Sequence, residues 1–140
     1  MARATIRLSG LLLLVAIVVV AFFAWDNLRE YTIYERQAEI VHLEDARQLS
    51  SDLYGYLSDP SYEVRARAAM AVGRVGGGDA AGRLLPMLSD SSQDVAAAAA
   101  FAIGLTGDRS QVTPLLDIAF DLPARVAEAA VRSVGWPTRP

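Results

Sequence analysis

The stretch Leu57–Gly76, LSDPSYEVRARAAMAVGRVG, falls on Leu88–Gly107, LSDSSQDVAAAAAFAIGLTG, when the chain is shifted by 31 residues. A second shift of the same length lays both on Ala119–Gly135, AFDLPARVAEAAVRSVG. In this register Asp59, Asp90 and Asp121 share a column, as do Val64, Val95 and Val126, then Ala68, Ala99 and Ala130, and finally Gly73, Gly104 and Gly135. The segment before each copy repeats as well, with Leu53, Leu84 and Leu115 in one column and Tyr54, Leu85 and Leu116 in the next. Each unit therefore holds two short elements.

In the second element Val95, Ala99, Ala102 and Ile103 follow the i, i+4, i+7, i+8 spacing of a buried helical stripe, and Val64, Ala68, Ala71 and Val72 do so one unit earlier. Asp59, Asp90 and Asp121 are expected to cap the helix N-termini, with Gln93 completing a capping box on Asp90. Gly73, Gly104 and Gly135 are expected to end the helices in the left-handed conformation that glycine adopts cheaply. A helix pair cannot bury its own apolar face, so a 31-residue period of such pairs predicts a short α-solenoid over residues 53–135 in an all-α chain. The five alanines Ala96–Ala100 repeat the frame of VRARAAM with its arginines replaced, and their small side chains let neighbouring helices approach closely.

DPSYEVRARAAMAVGRVGGGDAAGRLLPML, residues 59–88, resembles the short bacterial HEAT-like repeat of the phycobilisome-lyase type, which runs Asp, then Val-Arg, then Ala-Ala, then a Gly-ended turn. Pro86 is similar to the proline that kinks the first helix of such repeats. The family's Val-Arg arginine is present only as Arg65, because Ala96 and Ala127 hold the matching positions, and this puts in doubt any arginine ladder between units. EIVHLEDARQL, residues 39–49, is similar to the lead-in found before these repeats in some bacterial proteins. The resemblance implies a scaffold for protein–protein interaction. It also implies an alternative, a truncated relative of, or partner to, a HEAT-repeat enzyme such as a cyclophilin-type peptidyl-prolyl isomerase or a bilin lyase. No isomerase domain follows Pro140, and no residue marks a bilin site.

Leu8–Trp25, LSGLLLLVAIVVVAFFAW, is 18 residues without a charge. At 1.5 Å per residue it spans about 27 Å, close to the hydrocarbon thickness of a bilayer. Arg3 and Arg7 precede it, and all 16 acidic residues follow it. The positive-inside rule then predicts a single-pass protein of the cytoplasmic membrane with residues 1–7 inside and the repeats outside, in the periplasm. A cleaved secretory signal is the competing reading, but Phe22 occupies the position where cleavage after Ala24 would need a small residue. The run holds no Gly-x-x-x-Gly pair to indicate helix dimerisation in the membrane. Residues 26–52 contain neither glycine nor proline and are expected to form a helical stalk and N-terminal cap, with Tyr34, Ala38 and Val41, then Leu43, Ala46, Ser50 and Leu53, at near-helical spacing and a bend near His42 to Asp45. Residues 136–140 form a tail.

Composition excludes several chemistries. There is no cysteine and no lysine, and beyond the apolar run 11 arginines meet 16 acids, so no basic field exists for nucleic acid. His42 is the only histidine and lacks an i+4 ligand partner. GRVGGGD, residues 73–79, has no strand before it and no lysine after it, and its frame recurs as GLTGD, so it is an inter-unit turn and not a phosphate cradle. The expectation is therefore a protein without catalytic residues, metal or cofactor. Met70, Phe101 and Arg132 form an exposed column of the second helices, with Arg67, Arg74 and Leu105 beside it and Trp136 at its end. These seven are the candidate partner-binding residues, an apolar patch edged by arginines. The competing expectation packs Met70 and Phe101 between units.

Overall fold

A computed structural model describes residues 2–77, 79–106, 110, 115, 117, 121–133 and 135, with side chains from Gly10 onward. Every regular element among them is helical: α1 (Ala2–Asp45), α2 (Ser51–Gly55), α3 (Tyr62–Val75), α4 (Ala80–Leu84), α5 (Gln93–Leu105) and α6 (Ala124–Ser133). Short 3₁₀ turns, Tyr56–Ser58 and Leu85–Ser89, continue α2 and α4. The chain divides into two compact units, Met1–Glu35 and Arg36–Pro140.

The first unit is helical and bears the apolar run. Among the described residues this is the one helix long and apolar enough to cross a membrane, and none of its apolar window is buried within the protein. Its place near the N-terminus is shared by membrane spans and by signal sequences.

The second unit is built on the repeat. Val64, Ala68, Ala71 and Val72 on α3, Val95, Ala99, Ala102 and Ile103 on α5, and Val126 and Ala130 on α6 are all fully buried. Leu53, Leu84 and Leu115 of the preceding elements are buried with them. α3 packs on α5 and α5 on α6.

The structure moves the aspartates and glycines from their expected roles. The residue that precedes α3 is Ser61 and that before α5 is Ser92, two positions after Asp59 and Asp90. Asp59 and Asp90 instead end the 3₁₀ turns, and each accepts a hydrogen bond at 2.8 Å from the backbone N–H of Ser61 or Ser92. They fix the corner between the two helices of a unit. Gln93 is then the first residue of α5, two positions too early for the third-residue place of a capping box, and Asp90 is not the cap.

Gly73 and Gly104 lie inside α3 and α5, which run on to Val75 and Leu105. A Cβ on Gly73 would stand 2.6 Å from the Ala102 carbonyl oxygen, and one on Gly104 would stand 2.7 Å from that of Ser133. In the glycine column, Gly73 and Gly104 have no room for a side chain because the adjacent helix passes too close there. Of the three, only Gly135 has a positive φ, +74°. α3 is closed by Gly76 (φ +63°), whose N–H donates to the Val72 carbonyl.

Residues 36–45 of α1 also turn an unexpected face to the repeats. Ile40 is fully buried, and Arg36, Gln37, Leu43 and Glu44 are half-buried around it, at helical spacing. Tyr34, Ala38 and Val41, which share the near-helical spacing, are exposed. The expected bend is a helix end: Gln48 N–H donates to the Leu43 carbonyl and Arg47 N–H to that of Glu44, with Arg47 at φ +50°. That is a Schellman closure with arginine where glycine is usual.

Candidate interaction surface

Because the buried stripe of each second helix is fixed, the opposite side chains must form an outer face. On α3 these are Arg67, Met70 and Arg74, on α5 Ala98, Phe101 and Leu105, and on α6 Ala129 and Arg132. Between them runs a groove of about 650 Å³ with Met70, Ala97, Ala98, Phe101 and Ala129 in its floor. Its walls carry two ion pairs, Arg125 to Asp94 at 2.6 Å and Arg132 to Glu128 at 2.5 Å. Met70 and Phe101 are half-buried, so each is partly packed between helices and partly presented to the groove.

Of the seven expected residues the groove brings together Met70, Phe101 and Arg132. Leu105, 42% exposed, lies on α5 outside the groove lining. Arg67 and Arg74 are held by one carboxylate, Glu44 of α1, at 2.5 and 3.0 Å. Trp136 lies outside the described residues. Sequence reasoning missed Asp94, Arg125, Glu128 and Ala129; Ala129 shares the column of Arg67, whereas Asp94 and Arg125 share the column of Glu63 and Glu128 that of Ala66, which were not chosen. It also missed Glu44.

Inter-unit electrostatics differ from the expectation drawn from the absent arginines. Arg65 makes a two-pronged contact with Asp90 of the next unit, both prongs 2.8 Å, and its Nη1 donates to the Asp59 carbonyl at 2.9 Å. Arg36 of α1 reaches Asp59 itself at 3.1 Å. Two rungs of an arginine–aspartate ladder are thus present, the first supplied from α1. The hydrogen bonds from Arg65 hold the Asp90 carboxyl below its usual range, with burial opposing and the Ser92 N–H assisting. Burial alone would push Glu44 up, but hydrogen bonds from Arg74 and Arg67 outweigh it and hold Glu44 below the ordinary value. The Tyr56 hydroxyl, donating to Glu39 of α1 at 2.6 Å, is pushed up to about 12 by that bond.

A 29-residue offset explains why α1 takes part. It carries Arg36 onto Arg65, Ile40 onto the buried Ala69, Leu43 onto the buried Val72, and Arg47 (φ +50°) onto Gly76 (φ +63°). The last turns of α1 thus carry the columns of a second helix, and Arg36, Glu39 and Glu44 bond them to the repeats.

Among the described residues no group of three or more His, Asp or Glu side chains is placed to hold a metal ion. The outer face offers hydrogen bonds, charge pairs and apolar contact, the chemistry of docking. No curated protein and no solved structure matches the chain. Residues 48–136, well over half of the sequence, match the family described as HEAT repeats. The paired helices, the shared core columns and that match make the chain a member of the HEAT-repeat family.

Proposed function

We propose that this chain is a membrane-anchored protein-interaction module, a short α-solenoid that serves as scaffold or accessory subunit of a membrane complex and performs no catalysis of its own. HEAT repeats are commonly protein-interaction modules, which supports the scaffold role. The observation that carries the reading is the groove over Met70 and Phe101, an apolar floor between charged walls. The apolar run supports the anchor. In this reading residues 8–25 span the membrane, residues 1–7 stay in the cytoplasm and the repeats act in a bacterial periplasm.

The test is extraction of the native protein in mild detergent, followed by intact mass and the stoichiometry of what co-purifies. A partner at fixed ratio, with the N-terminus retained, is expected. Phe101→Asp is expected to release that partner while the protein still melts cooperatively, its midpoint lowered only by the packing that a half-buried ring loses. If the variant unfolds instead, Phe101 is a core residue and the groove is not the site. Protease added to spheroplasts should digest the repeats, and their protection would overturn the outward placement.

A further inference from the structure

Beyond the apolar run, α1 presents a second kind of surface within the unit Met1–Glu35. Leu28, Tyr31 and Tyr34 are 63%, 62% and 68% exposed. At about 100° per residue they share one side of the helix, with Asn27 and Glu35 on the same arc and Glu30 about 40° beyond Tyr34, at its edge. Arg29 falls on the opposite side. The face is therefore aromatic and acidic with no cation on it, and the Tyr31 hydroxyl is hydrogen-bonded to Glu35.

Two exposed phenol rings beside two carboxylates match one side chain better than any other. A guanidinium stacks on an aromatic face and takes a carboxylate in a two-pronged bond, whereas an ammonium does only the first well. A second copy would bring Glu30 and Glu35 against their like, so charge complementarity disfavours self-association through this face. We propose that Leu28, Tyr31 and Tyr34, with Glu30 and Glu35, dock an arginine-bearing segment of a partner protein. This surface is separate from the groove over Phe101 and does not depend on it.

The experiment uses the full chain in neutral detergent micelles at low salt, titrated with a fluorescent hexa-arginine peptide and followed by anisotropy. Saturable binding is expected, and a hexa-glutamate peptide should not bind. Glu30→Gln with Glu35→Gln is expected to weaken it about tenfold or more, and Tyr31→Leu with Tyr34→Leu, which leaves the charge alone, roughly three- to tenfold. Asp52→Asn with Asp79→Asn removes equal charge from exposed positions of the repeats and should leave affinity unchanged.

Equal weakening by that control pair would mean diffuse charge and would overturn the proposal, as would indifference to the tyrosine pair. Tyrosines that only lie among lipid headgroups would leave the peptide unbound, and this too overturns it. Sedimentation of the same samples reports the remaining occupant: self-association that depends on Tyr31 and Tyr34 would replace the arginine partner with a second copy.

Discussion

Gly73 and Gly104 carry the tightest constraint in the repeat. A Cβ would meet the carbonyl oxygen and Cβ of Ala102 or of Ser133, which no side-chain rotation moves away. Gly73→Ala and Gly104→Ala are expected to lower stability by about 1–3 kcal/mol each, read from denaturant melting of the detergent-solubilised protein. Gly55→Ala is the contrast. Nothing lies within 4 Å of that site, so the change should be neutral or stabilise by up to about 1 kcal/mol. The columns were legible in the sequence, but their roles were not. Glycine marks a left-handed turn and a close approach equally well, and only the opposite helix distinguishes them. The aspartate column shows the same limit: a carboxylate two residues ahead of a helix, fixing a corner, reads like an N-cap until the first helical residue is known.

Between elements, the two kinds of contact respond to different variables. α3, α5 and α6 meet through alanine, valine and glycine, whereas α1 meets α3 through Glu44 with Arg67 and Arg74, and meets the corner before α3 through Arg36 with Asp59. Asp90 and Glu44 have carboxyls depressed below ordinary values near 3.8 and 4.5. A group whose folded pKa is depressed adds stability above its unfolded pKa and loses it as pH falls through the folded one. The melting temperature should therefore fall as pH drops from about 5 towards 3 and below, and Asp90→Asn should flatten part of that slope while lowering the plateau at neutral pH. Arg65→Ala strips both prongs from a half-buried carboxylate and is expected to cost about 2 kcal/mol by the same measurement. Sequence columns could not supply the first rung of the ladder, because Arg36 sits at an offset of 29 and the repeat was sought at 31. The two missing residues match the longer glycine turn after α3, an insertion that a fixed-period search passes over.

For the molecule as a whole, the period of 31 residues and the apolar run were plain from residue order, since both are statements about pattern and neither depends on who packs against whom. What order alone left open was where the array begins. The family match starts at residue 48, yet Ile40 is fully buried and Glu44 is half-buried against two arginines. A fragment of residues 36–140 is expected to melt cooperatively. One of residues 48–140 should melt at least several degrees lower, or fail to fold, because it uncovers the first face of α3. Circular dichroism against temperature compares them, and equal midpoints would show that α1 adds nothing to the array. The backbone contact at the glycines has a further consequence for how such a chain can grow. Gly73 meets Ala102 and Gly104 meets Ser133, each 29 positions on, so one joint is used twice without change. A joint that fits its own copy makes length a countable quantity: inserting a whole 31-residue block leaves every seam intact, and a residue more or less has to be absorbed in the glycine turn, as it is between α1 and α3.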